Sequence, residues 1–218
     1  MDKKLLQKRR IMGYFIDATN QIIENDGLEN VTIRKVADIA GYNSSTLYNY
    51  FKNLDHLILF SSMKYLKDYT KNLHKYIKNT HNSLERYFAI WECFCYYSFN
   101  NPKIYNLIFF SKFSNSLNST IKEYYSIFPD ELDNATTDLN KMLLGNTIYE
   151  RALSILKDCA NDGYIIHENL KEINEMTILI YQSILNNLLN HNSSDTIDEC
   201  IKKALKYFKQ IIKSYQII

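Results

Sequence analysis

The chain has 218 residues, 46% of them hydrophobic and 23% charged, with a formal net charge of +2. That length builds one or two domains with a sizeable core, and that balance excludes a disordered chain and a polybasic protein. With only 5 Gly and 2 Pro, helix breakers are so few that an all-helical protein with short loops is predicted.

No apolar run approaches the roughly 20 residues of a membrane span. The basic N-terminus is not followed by the hydrophobic region of a secretory signal, so a cytoplasmic location is expected. The four cysteines, Cys93, Cys95, Cys159 and Cys200, are scattered. Cys93 and Cys95 fall on different faces of a helix, which is poor geometry for a shared metal. Buried, reduced thiols are therefore predicted, with no metal and no cofactor.

The first ten residues carry Lys3, Lys4, Lys8, Arg9 and Arg10 against Asp2 alone, a local balance of 5 − 1 = +4. Two readings stand open for them, a solvated terminus or a basic arm lying near phosphates. A first helix is predicted over residues 8–25, stopping before Gly27. The next stretch, VTIRKVADIAGYNSSTLYNYF (residues 31–51), is the most informative in the chain. Thr32 caps a second helix over 33–40, in which Val36, Ala37 and Ala40 share one face. Gly41 follows where a helix end needs left-handed φ, and the side-chain oxygen of Asn43 can open a third helix over 44–51. Leu47 and Phe51 form its inward side, leaving Ser44, Ser45, Thr46, Tyr48, Asn49 and Tyr50 outside. Two short helices about a glycine turn make a helix-turn-helix, whose second helix fits a DNA major groove. Its outward side chains are donors and acceptors of the size that touches base edges and phosphates.

A long fourth helix is predicted from Asp55, with Leu57, Phe60, Lys64, Tyr65, Tyr69, Leu73 and Tyr76 on a mostly apolar stripe. After a polar break at 79–82, Ser83 is the expected cap of a helix carrying Leu84, Phe88, Trp91, Cys95 and Phe99. Pro102 suits the first turn of a helix over 102–113, followed by a polar loop at 114–119 and a short amphipathic stretch at 121–128. A longer helix is predicted over 137–160, closed by Asp162-Gly163, with 164–166 crossing over. The last two helices are expected at about 168–190 and 196–215. The predicted layout is a head of residues 1–54 and a larger helical unit of 55–218.

The segment from Ile16 to Leu57 resembles the N-terminal domain of the tetracycline-repressor (TetR) family of bacterial regulators. Ile16, Ala18, Gly27, Thr32, Ala37, Ala40, Gly41, Thr46, Leu47, Tyr48, Tyr50, Phe51 and Leu57 stand in register with that pattern, which covers about the first quarter of the chain. The resemblance implies a three-helix DNA head, a connecting helix, and a helical body for ligand binding and dimerisation. It implies that Arg34 reaches a base edge, where a guanidinium fork suits guanine. Ser44, Ser45, Thr46 and Asn49 would point into the groove, Tyr48 and Tyr50 would hydrogen-bond phosphates, and Thr32 would both cap and donate to a phosphate. Leu54 stands where the family usually carries a Lys, with Lys52 as its possible substitute.

The larger unit is rich in tyrosine, and each buried hydroxyl needs a partner. That excess suggests a pocket for an apolar or aromatic ligand, with Tyr65, Phe88, Trp91, Phe94, Phe109, Phe113 and Tyr149 as its candidate lining. The pocket is expected between the fourth helix and the helices over 83–99, 102–113 and 137–160. Glu92 and Glu150 would favour a cationic ligand there; on solvated faces they would do nothing of the kind. Nothing supports an enzyme: there is no Gly-rich phosphate loop, no GxSxG and no paired His at metal spacing.

Each of the last two helices carries more apolar residues than one stripe needs. Ile173, Met176, Ile180, Ile184 and Leu188 recur along the first, and Ile197, Ile201, Leu205, Phe208 and Ile212 along the second. Leu179, Leu185, Leu189, Ala204 and Ile211 lie off those stripes. A second face calls for a partner, which the resemblance supplies as a homodimer with a four-helix interface. The expected function is a repressor released from a palindromic operator by a small apolar or aromatic effector. The alternative is a helical small-molecule or lipid sensor without specific DNA binding.

Overall fold

The computed structural model describes residues 3–111, 117–128, 142–143 and 145–216. Ten helices follow one another among them: α1 (Lys3–Asp26), α2 (Ile33–Ala40), α3 (Ser44–Tyr48), α4 (Leu54–Ile77), α5 (Ser83–Asn100), α6 (Pro102–Phe110), α7 (Leu117–Ile127), α8 (Ile148–Asn161), α9 (Leu170–Leu189) and α10 (Ile197–Tyr215). Apart from helices and turns, the described residues make one antiparallel bridge, between Ile165 and Gln216. The expected all-helical architecture is therefore the observed one.

Local chemistry sets most of the starts. The backbone N–H of Lys35 donates to Thr32 Oγ1 at 3.2 Å, and that of Thr46 donates to Asn43 Oδ1 at 2.8 Å. Asn53, Thr147 and Thr196 cap α4, α8 and α10 in the same way, and Thr196 completes a capping box with Glu199. Gly41 ends α2 at φ 75°, the left-handed conformation that disfavours a Cβ.

Several expected boundaries move. The basic N-terminus is neither frayed nor a separate arm: α1 runs back to Lys3, and the Arg9 guanidinium lies 5.5 Å from the centroid of the Phe128 ring. Asn82, not Ser83, caps α5, by accepting from the Glu85 N–H at 2.8 Å, while Ser83 Oγ is buried without a partner. The loop foreseen at 114–119 gives way to helix from Leu117 on. The helix foreseen over 137–160 is interrupted: residues 142–143 are helical, residues 145–147 form a break, and α8 starts at Ile148 with Thr147 as its cap; residues 137–141 and 144 lie outside the described set.

The core is continuous from Met12 to Ile212. Helix α1 packs on α2 and α4, while α5 packs on α4, α8 and α10. Helix α4 thus touches both ends of the molecule. Its N-terminal half is buried on every side: Leu57 through Met63 are all buried, and the hydroxyls of Ser61 and Ser62 donate back to the carbonyls of Leu57 and Ile58. The expected division at 54/55 falls at the start of this helix, where Phe51 meets Phe15, His56 and Phe60 at ring centroid distances of 6.2, 5.9 and 5.7 Å. All four cysteines are buried and unpaired.

At the same joint, His56 Nδ1 accepts from the Lys52 N–H at 3.3 Å and Nε2 lies 3.4 Å from Glu123 on α7. Burial lowers the His56 pKa and outweighs the nearby Glu123 charge. The accepted hydrogen bond also requires an unprotonated Nδ1. A pKa lowered on folding means that the unfolded chain binds the proton more readily. The contribution is therefore complete above the unfolded value of about 6.5 and is lost as pH falls toward the folded one. Urea midpoints should decline below about pH 6.5, with a shallower decline in His56→Gln.

Candidate functional site

Two regions concentrate the sequence-derived candidates. The first is the outer surface of α2 and α3. Helix α3 is held from below by Leu47, which is fully buried, and by Phe51 just past its end. Asn43 Oδ1 gathers three donors, the Thr46 N–H and the hydroxyls of Ser45 at 2.6 Å and Thr46 at 2.7 Å. That cluster fixes the first turn of α3 and holds both hydroxyls in place. Thr32, Arg34, Ser45, Tyr48, Asn49 and Lys52 are exposed, with Ser44, Thr46 and Tyr50 half-buried. Tyr48 is 55% exposed, which no packing demand explains.

Two details differ from expectation. Helix α3 stops at Tyr48, so Asn49 and Tyr50 sit on the turn that follows. Tyr50 also has a packing role, with its ring 6.4 Å from Phe15. Tyr42, which the sequence reading passed over, packs on Phe15 at 5.3 Å and props the turn from the other side. On α2, Lys35 is engaged by Asp26 at 2.6 Å, whereas its neighbour Arg34 stands exposed. Leu54, in the place of the usual Lys, is half-buried against the core.

The second region is a cavity of about 30 Å³ lined by Tyr69 of α4, Ile90, Trp91 and Phe94 of α5, Met142, and Ile148, Arg151, Ala152 and Ile155 of α8. Trp91 and Phe94 were expected on its wall. Phe109 stands just behind it, stacked against Arg151. Tyr65, Phe88 and Tyr149 are not on the wall. Tyr149 projects outward and is 41% exposed, because it lies one residue off the buried stripe of α8. Phe88 faces Lys209 across the α5–α10 seam, and Tyr65 serves through its carbonyl, which accepts from Tyr105. Phe113 lies outside the described residues. Glu92 and Glu150 are both on the exposed surface, Glu150 accepting from the Asn146 N–H.

The residue missed is Arg151. It is 7% exposed, its Nε–H donates to the Gly145 carbonyl at 3.1 Å, and its Cζ lies 5.3 Å from the Phe109 centroid. Burial pushes its pKa down to about 10, so the group remains charged at neutral pH. The sequence did hold a signal: Ile148 and Ile155 stand three before and four after it on the same helix face, placing a lone cation on an apolar stripe. Among the described residues, no set of three His, Cys, Asp or Glu side chains could hold a metal.

A helix-turn-helix mounted on an all-helical body defines a DNA-binding regulator fold. Residues 15–59 match the model of bacterial regulatory proteins, tetR family. The head belongs to that family, and the chain as a whole folds as solved TetR-family structures do. A curated relative from Haemophilus influenzae, described as an uncharacterized HTH-type transcriptional regulator, is 29% identical over 97 residues. The match takes in 44% of this chain and 52% of that protein, so the chain spans about half the length of the curated relative it matches. The fatty acid degradation regulator FadR of Bacillus halodurans superposes with a TM-score of 0.58 at 15% identity, over 90% of this chain and 93% of that one. Thermus thermophilus FadR, a TetR-family repressor solved in complex with lauroyl-CoA, gives 0.58 at 12% identity, over 90% and 92%. No described helix is long and apolar enough to cross a membrane.

Proposed function

We propose that the protein is a one-component transcription regulator, acting in the cytoplasm as a homodimer on a palindromic operator in double-stranded DNA. It acts as a repressor, and a small apolar or aromatic effector entering the body releases the DNA. Residues 1–54 serve as the DNA-binding head and 55–218 as the effector-binding and dimerisation body.

The observation that carries this reading is α4. The helix is packed against α1 of the head and contributes Tyr69 to the cavity wall. An effector that favours one placement of Tyr69 therefore favours one placement of the head. The mechanism is a population shift, in which the bound form is the one whose two heads miss the half-site spacing.

The reading is tested by anisotropy titration against the DNA upstream of the gene and against random duplex, at two salt concentrations. Arg34→Ala should cost about 1–3 kcal/mol on the operator and relax preference at one base pair. Tyr48→Phe and Tyr50→Phe should weaken binding alike on every sequence, because phosphate contacts position rather than specify. Equal weakening of operator and random DNA by Arg34→Ala removes its base-contact role. Leu54, turned into the core, favours the second reading, a sensor of small or lipid-like molecules without specific DNA binding; operator affinity no better than random affinity would establish it.

A further inference from the structure

We propose that Arg151 is the anion-binding anchor of the cavity, and that the effector is an organic carboxylate on an aliphatic or aromatic body. The inference rests on the effector-binding reading above and names the chemistry of that ligand.

The described lining of the cavity is otherwise apolar or aromatic: Ile90, Trp91, Phe94, Met142, Ile148, Ala152 and Ile155, with the Tyr69 hydroxyl turned to Met142 Sδ at 4.0 Å. Into this surface the protein places one full positive charge. Arg151 Nη2 is buried and makes no hydrogen bond. No ion pair joins Arg151 to any described carboxylate, and its named partners are a carbonyl through Nε and the face of Phe109. A buried charge without a counter-ion among the described residues is costly, and a fold that only needed volume here would do better with an apolar side chain.

The surrounding chain is shaped to keep the guanidinium in place. A Cβ on Gly145 would lie 2.8 Å from Arg151 Cγ and 3.1 Å from its backbone nitrogen, so the segment before α8 approaches as closely as glycine allows. A planar donor group with an unused N–H edge in an apolar cavity matches a carboxylate. Apolar walls suit the tail of such an acid in chemistry, and because about 30 Å³ holds only a water or two, binding requires the flexible Met142 side chain to move aside. A cationic ligand, the sequence-based option through Glu92 and Glu150, would meet a like charge instead.

Trp91 is the lone tryptophan, is 3% exposed and lines the cavity, so its fluorescence reports occupancy. Octanoate and 1-octanol are titrated into the full-length native protein, Arg151→Met and Arg151→Lys. The native protein should bind octanoate more tightly than octanol. Arg151→Met should lose about tenfold or more of the octanoate affinity and keep that for octanol, with Arg151→Lys between the two. Arg151→Met should melt no lower than the native protein, as expected when an unpaired charge gives way to an apolar chain. Equal affinity for acid and alcohol in the native protein overturns the proposal and leaves the effector reading standing. Unchanged octanoate affinity in Arg151→Met does the same. Loss of the fold in both variants makes Arg151 structural and also overturns it. A native protein that binds neither probe defeats the effector reading itself.

Discussion

Phe51→Ala should destabilise the protein by about 3–5 kcal/mol, the cost of emptying a fully enclosed aromatic site. The side chain is 1% exposed and meets Phe15 of α1, His56 and Phe60 of α4 within one cluster. Removing it takes away the floor of the helix-turn-helix and the joint between head and α4 at once. The urea midpoint should fall sharply, and operator binding should be lost even below the unfolding transition. Phe51→Leu, which keeps most of the volume, should cost well under half as much. Similar losses from both variants would mean that aromatic edge contacts rather than filled volume hold the joint.

Leu179→Glu combined with Tyr207→Glu should give monomers, and loss of operator binding, with helical content unchanged. Leu179 and Tyr207 are 53% and 38% exposed in the isolated chain, on the outer sides of α9 and α10. Met176 and Ile180 flank Leu179, half-buried, on the same face of α9. The apolar excess in these helices is smaller than their sequence suggests. Leu185 and Ala204, expected on the second face, are fully buried in the chain's own core. Charging Leu185 would test folding rather than assembly. The groove beside Leu205 is rimmed by Lys202, Lys206, Lys209 and Lys213, a composition that interface centres avoid, so the exposed apolar residues Leu179 and Tyr207 are the positions at which pairing is tested. Sedimentation velocity decides the matter. A native protein that is monomeric at micromolar concentration, or a double variant that still dimerises, would remove the homodimer.

The head was legible because its signals are local. Thr32, Gly41 and Asn43 each act within four residues of themselves, through a cap or a left-handed turn, so their spacing carried the geometry directly. The body was legible as helices but not as a site. Tyr149 and Arg151 are two residues apart; one was chosen for being aromatic and the other passed over for being charged, and the helix turned them the opposite way. The start of α8 would have shown this, since Thr147 with Glu150 three residues on marks a helix N-terminus, and the register of the buried stripe follows from it. The split between core and partner face in α9 and α10 depends on which neighbours cover each helix, information that periodicity alone does not hold.

The buried cysteines set a limit on what this molecule can perceive. Burial raises the thiols of Cys93 and Cys159 to about 12 and that of Cys95 well above its usual value. At neutral pH only about one molecule in 10⁵ would carry a thiolate at either of the first two, and it is the thiolate that reacts with peroxides and electrophiles. Oxidative or alkylating stress should therefore pass without a signal from these three residues.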